Sequence, residues 1–361
     1  MSTSPMSARP GAVGEPPVHY GNLVAEQRAL AAGQAVVDLS DRDVLAVTGE
    51  DRLSWLDSLT SQHVTGLKPG ESAETLLLDP SGRVEYAARV LDDGVTTWLL
   101  LDAGTGAGLF AFLDRMRFML RVEVADRSAE YATVGSLGET VPAGLVAAEP
   151  HGIPLVWDDP WAAVVAGGHQ YATTKTHPGA EWHYRETLVE RTHLADLDAL
   201  PLAGTLALEA LRIAAWRPRA ATEVDATTIP HELDWLRSAV HLTKGCYRGQ
   251  ETVAKVHNLG HPPRRLVMLH LDGSDGVLPA AGDEVSAGDT VVGRVTAAAL
   301  HHELGPIALA VIKRGTDPAA VLTVATGDGT VVTAAQELVV PPDAGAEADI
   351  PKLPRLGAVK R

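Results

Sequence analysis

A single cysteine, Cys246, is all the thiol chemistry this 361-residue chain has. One thiol excludes an internal disulfide, and it excludes a self-contained zinc or iron-sulfur site built from several thiolates, so no stably bound metal is expected. Lack of disulfides suits a reducing compartment, which makes the cytoplasm the expected location. Positive charge is also scarce. The 30 Lys and Arg face 46 Asp and Glu, a net charge of −16, which argues against wrapping nucleic acid or lying on an anionic membrane. No run of about 18 apolar residues occurs, so no membrane span is expected. Met1 to Val18 lacks the apolar stretch of a secretory signal. Rich in Pro, Gly and Ser, residues 1–19 read as a disordered tail.

The length implies two or three domains, since one core rarely grows beyond about 250 to 300 residues. Val44 to Thr48 reads as a strand, and Glu50 to Leu59 as a helix with Leu53, Leu56 and Leu59 on one face. A meander follows: Glu74 to Leu78, the turn Asp79-Pro80-Ser81-Gly82, Arg83 to Leu91, the turn Asp92-Asp93-Gly94, and Val95 to Leu101. A second helix spans Ala107 to Met119, and Val122 to Val124 closes the unit. This order predicts an α+β arrangement, an antiparallel sheet covered on one face by helices. A looser second version runs through Tyr131 to Gly135, Leu155 to Trp157, Ala162 to Ala166 and a helix over Leu202 to Trp216, with His177 to Leu200 unassigned. From Arg265 the pattern becomes short β segments separated by Gly and Asp, which predicts a small β-barrel or sandwich. The boundaries are 20–263 for the paired halves, with a break near 126–130, then 264–334 for the barrel. Residues 335–361, rich in Pro, Ala and Asp, read as a second disordered tail.

Two motifs are ordinary on inspection. Gly104-Thr105-Gly106-Ala107-Gly108 completes no phosphate-binding fingerprint and reads as a turn plus helix start. His301-His302-Glu303 reads as a loop, because adjacent residues point in different directions on regular structure. The segment Lys244 to Arg265 does rise above background, with five Lys or Arg and one acid in an acidic chain. It is either a solvated basic face or a local site for a multiply anionic ligand or an acidic partner.

That segment opens with Lys244-Gly245-Cys246-Tyr247-Arg248-Gly249-Gln250-Glu251. Glycines on either side of Cys246 permit a sharp bend and close approach. Gly249 to His257, with Val253 and Val256 three apart, predicts a short helix whose dipole, with Lys244 and Arg248, would favour the thiolate. The competing reading is a small buried hydrophobe.

The eight residues are similar to the K-G-C-Y-x-G-Q-E signature of YgfZ-type folate-binding proteins, relatives of the glycine-cleavage T-protein. Further stretches agree in order: Leu59-Thr60-Ser61-Gln62 with Val64-Thr65, Leu78-Asp79-Pro80 with Gly82-Arg83, Glu209 to Ile213, Ile229 to Glu232, and Gly293 to Thr296. Tyr20-Gly21 also sits where T-proteins often have a similar pair. The resemblance implies two related α+β halves with ferredoxin-like elements and a small C-terminal β-barrel, arranged as a ring around a tetrahydrofolate channel. It implies a role in assembling or repairing 4Fe-4S clusters, with iron-sulfur client proteins or cluster carriers as partners, tRNA-modifying enzymes among the clients. Cys246 would act as redox thiol or transient cluster ligand. Lys244 and Arg248 would keep it ionised, Gly245 and Gly249 would give access, Tyr247 completes the motif, and Gln250 or Glu251 would hydrogen-bond locally.

Departures from the T-protein pattern matter. The aspartate that T-proteins use after the first meander turn falls at Tyr86 and Ala87, so a carboxylate is missing and aminomethyl transfer is disfavoured. Arg212-Ile213 continues as Ala214-Ala215-Trp216 instead of Glu-Ala-Gly, and the folate-contacting tryptophans of the enterobacterial branch fall near Arg42 and Leu208. Tyr86, Glu209, Arg212 and Trp216 are the expected channel residues. Trp216 is read either as an aromatic face for the pterin or as core. The alternative activity is a one-carbon transferase using Glu209.

Overall fold

Strands that are apolar on both faces have to be covered on both sides, and this chain is built around that requirement. The computed structural model describes residues 4–274 and 276–348. Helix α1 (Leu23–Ala31) leads into β1 (Val36–Leu39) and β2 (Asp43–Thr48), then α2 (Arg52–Leu59). The meander is β3 (Ser72–Leu78), β4 (Val84–Asp92) and β5 (Thr96–Leu101), followed by α3 (Gly106–Met116) and β6 (Glu123–Asp126). Along β5 every residue is buried. Period-two alternation sends Leu99 and Leu101 against Leu56, Leu59, Leu109 and Leu113 of α2 and α3, while Trp98 and Leu100 face the central core. The sheet order is β3-β4-β5-β2-β6.

The second half comprises β7 (Tyr131–Leu137), β8 (Val156–Asp158), β9 (Tyr184–Glu190) and β10 (Leu202–Ala203), with α4 (Thr205–Ala214) and the short α5 (Ala220–Glu223). Its sheet order, β10-β1-β7-β9-β8, borrows β1 from the N-terminal side. Ala162 to Ala166 is not a strand: Pro160 starts a 3-10 turn over Pro160–Ala162, and Trp161 is fully buried there. The unassigned stretch holds β9 and a nine-residue 3-10 helix, Arg191–Ala199.

Helix α6 (Gln250–Leu259) precedes a closed barrel of β11 (Arg264–Leu271), β12 (Glu284–Ala287), β13 (Thr290–His301), β14 (Gly305–Lys313), β15 (Leu322–Ala325) and β16 (Val331–Leu338). Val267, Leu269 and Leu271 point into the barrel, while Leu266 and Met268 point out and join the core of the halves.

Both expected tails are corrected over their described residues. In the first, Met6 is buried against Val36, Val134 and Leu194, the Ser4 hydroxyl donates to Asp38, and Arg9 pairs with Asp198 at 2.8 Å. In the second, β16 closes the barrel, Val339 and Val340 are buried, and the Glu347 and Ala348 amides donate to the carbonyls of His257 and Asn258. Residues 349–361 lie outside the described ones.

Candidate functional site

Cys246 is exposed, on the loop that leads into α6. Gly249 sits in the left-handed region at φ +83, as the N-cap of α6. A Cβ there would lie 2.6 Å from the Asp79 carbonyl oxygen, so the motif is docked on the first meander turn. Gly245 has open space around its Cα, consistent with an accessible bend. Tyr247 is buried with its hydroxyl unpartnered, and burial raises its pKa. The Gln250 amide reaches the Lys244 carbonyl at 3.3 Å, and Glu251 is exposed.

The cations of the motif serve other groups. The Lys244 ammonium donates to the carbonyls of Asp57, Thr60 and Gln62 at 2.5, 2.9 and 2.7 Å, and lies 3.3 Å from the Asp57 carboxylate. It caps the C-terminal end of α2, where the orphan carbonyls attract a cation. Arg248 pairs with Glu85 at 2.6 Å and stacks on Phe112. The expectation that both serve the thiol is therefore corrected, since each is committed to other groups. So is the shared anion site, because Arg264 pairs with Asp225 and Glu232, and Arg265 is buried against Thr316 and Gln336.

A second site lies between the two sheets. A cavity of about 310 Å³ is bounded by β4, α4, the β1–β2 turn and the segment 217–221. Ala87, Glu209 and Arg212 line it, and so do Arg42 and Leu208. Two expected channel residues do not. Tyr86 faces α2 and α3, because β4 alternates and only Ala87 of that pair turns inward. Trp216 is 1 % exposed, donates its indole N–H to the Met268 sulfur at 3.2 Å, and stands edge-on to His177, so it is core. Trp182, Tyr184 and Trp235 supply the aromatic walls instead. Trp182 and Tyr184 lie two apart around the start of β9, a spacing that would have shown their shared face had that segment been read as a strand.

Five carboxylates and five arginines line this cavity. Glu74 and Asp159 hold Arg217 at 2.7 and 2.9 Å, and Asp102 holds Arg89 at 3.0 Å. Arg42 and Arg89 both reach the fully buried Glu186 behind the wall. Glu209 pairs with Arg212 at 2.5 Å and more loosely with Arg219 at 3.7 Å. Burial alone would raise the Glu209 pKa, but Arg212 and Arg219 bring it down to about 2. Such a carboxylate stays ionised and is a weak base. Among the described residues no cluster of three or more His, Cys, Asp or Glu is placed to hold a metal ion, and no helix is long and apolar enough to cross a membrane.

Residues 264–341 match the family model described as the glycine cleavage T-protein C-terminal barrel domain. The chain is 28% identical over 327 residues to an aminomethyltransferase of Rippkaea orientalis, covering 83% of this chain and 84% of that one. It is 26% identical over 247 residues to the mitochondrial iron-sulfur cluster assembly factor IBA57 homolog of Mycosarcoma maydis, covering 63% of this chain and 55% of that one. Superposition on the crystal structure of glycine cleavage system aminomethyltransferase T from Bartonella henselae gives a TM-score of 0.69 at 16% identity, over 91% of this chain and 94% of that one. The fold is that of the T-protein, two α+β sheet units and a closed six-stranded barrel.

Proposed function

We propose that this chain is a cytoplasmic, folate-binding accessory factor for assembly or repair of 4Fe-4S clusters in client enzymes, tRNA-modifying ones included, and that it engages a client or cluster carrier through Cys246. One observation carries the reading: the chain's single thiol is exposed on a loop whose shape depends on a glycine that accepts no side chain. The IBA57 homolog among its relatives supports the same role. One thiolate cannot hold a 4Fe-4S cluster, so the partner or a second copy completes the coordination.

The central cavity fits a reduced folate. Its volume is at the lower end of small-molecule sites, roughly 300 to 1,000 Å³, and its walls mix aromatic faces with polar groups. The buried Nε of Arg219 has no partner, and its side chain is 30% exposed, so that guanidinium is available to an anionic glutamate tail. Bound there, a reduced folate would supply a ring nitrogen able to accept a one-carbon unit. The chain's own residues give little help to aminomethyl transfer, because Ala87 carries no carboxylate and Glu209 is tied to two arginines.

The test is a gene deletion in the host, assayed for 4Fe-4S enzyme activities and restored with wild type or Cys246→Ser. Rescue by wild type alone is expected; unchanged activities after deletion would reject the iron-sulfur role. Turnover of an aminomethyl donor with tetrahydrofolate by the purified protein would instead establish the transferase reading.

A further inference from the structure

Asp41, in the turn between β1 and β2, lines the central cavity and stands apart from the other four carboxylates there. Glu74, Asp102, Asp159 and Glu209 each hold an arginine within 3.0 Å. Among the described residues Asp41 has no ion-pair partner and takes no hydrogen bond from another residue; its carboxylate draws only on its own backbone N–H. Its neighbour Arg42, which also lines the cavity, makes its ion pair with Glu186 instead. A half-buried carboxylate without a partner is costly, and a ligand that brings donors to it removes the cost. Burial raises the Asp41 pKa against the partial offset of Arg42 and of its own backbone N–H.

Resting on the folate reading above, we propose that Asp41 anchors the pterin ring by accepting hydrogen bonds from its adjacent 2-amino and N3–H donors. The chemistry matches: a carboxylate is acceptor-only and takes two parallel N–H donors, as it does from a guanidinium. Arg219, on the segment after α4, is the loosely held cation that would take the tail carboxylates. The two residues thus divide the ligand, with Asp41 on the ring and Arg219 on the glutamate.

The division can be tested by calorimetry with two probes on the full chain: tetrahydrofolate, and p-aminobenzoylglutamate, which lacks the pterin. Asp41→Asn should weaken tetrahydrofolate by about 10- to 100-fold, the range of a hydrogen bond to a charged group, and leave p-aminobenzoylglutamate unchanged. Arg219→Gln should weaken both. Equal tetrahydrofolate affinity for Asp41→Asn and wild type would overturn the anchor while leaving the folate reading intact. Parallel loss of both probes in Asp41→Asn would also overturn it, pointing to distortion of the whole cavity. If wild type binds no tetrahydrofolate, the folate reading falls and the anchor with it.

Discussion

Gly249 and Gly82 face each other across the junction between the cysteine motif and the first meander turn: a Cβ built on Gly249 would lie 3.0 Å from the Gly82 Cα. Both residues have positive φ, +83 and +78. A Cβ built on Gly82 would in turn meet the Thr252 side chain of α6 at 2.8 Å and the Gly249 carbonyl oxygen at 3.3 Å. Gly249→Ala therefore combines left-handed strain with a backbone clash against the Asp79 carbonyl, and should cost at least about 2 kcal/mol. Chemical denaturation of the variant checks this, and a cost under about 0.5 kcal/mol would show that the turn and the motif are not locked together.

Replacing Cys246 by Ser is expected to separate folding from function. The side chain is exposed, and substitutions at such positions usually change stability by no more than about 0.5 kcal/mol. Client 4Fe-4S activity should nevertheless be lost, since no second cysteine exists to replace it. A variant that folds normally and restores full client activity would remove the thiol from the mechanism.

Lys244 is expected to matter for stability rather than for thiol chemistry. Its side chain is 1% exposed, and it satisfies three carbonyls at the end of α2 together with the Asp57 carboxylate. Lys244→Met keeps the apolar stem and removes the charge, leaving three carbonyls without this donor and the Asp57 carboxylate with only the Val64 and Thr65 amides and His63, at a cost of about 3 kcal/mol. The thermal midpoint should drop well below that of Cys246→Ser. Equal midpoints would mean that solvent replaces the ammonium freely.

Much of this architecture is legible in the chain because turn chemistry and alternation agree. The Asp79 carboxylate accepts from the Ser81 and Arg83 amides, both at 2.8 Å, as an Asp-Pro-Ser-Gly turn should. The Gly104 to Gly108 stretch opens α3, and the Gly106 amide there is taken by Asp43 at 2.7 Å, the protein's own anion. What escaped reading are segments whose polar residues are buried for long-range reasons. Glu186 and Thr187 are fully buried in β9, where a carboxylate serves Arg42 and Arg89 from distant parts of the chain, so local hydropathy says nothing of a strand. β16 alternates buried and exposed, but its Ala, Thr and Gln composition resembles a tail. Cavity residues were half visible: Glu209 and Arg212 follow from the motif on α4, whereas Asp41 and the aromatic wall depend on which way turns and strands face.

Asp234 offers a pH-dependent test of the core beneath the cavity wall formed by Trp235. It sits in the left-handed region at φ +55, accepts the Tyr171 amide at 2.6 Å, and leaves its other oxygen unpartnered, 4.0 Å from His177 Nε2. Burial pushes its pKa up to about 7, against the pull of the Tyr171 N–H and Arg237. Because the folded value is above the unfolded one, near 3.9, its stabilising contribution is complete below about pH 4 and is lost as pH rises toward 7. His177 works in the opposite sense, since burial and Arg237 lower it to about 3 and its contribution is lost as pH falls below about 6.5. Asp234→Asn keeps the shape and the acceptor for Tyr171, tolerates the left-handed backbone, and cannot ionise. His177 titrates near about 3 folded and about 6.5 unfolded, so its part falls mainly below about pH 6.5, and the difference between variant and wild type from about pH 6.5 to about pH 8 reports Asp234. The variant should gain stability relative to wild type between pH 4 and pH 8, by a few kcal/mol at most, read as a difference in thermal midpoint that widens with pH. A difference that stays flat across that range would show that Asp234 ionises in the folded protein as it does in water.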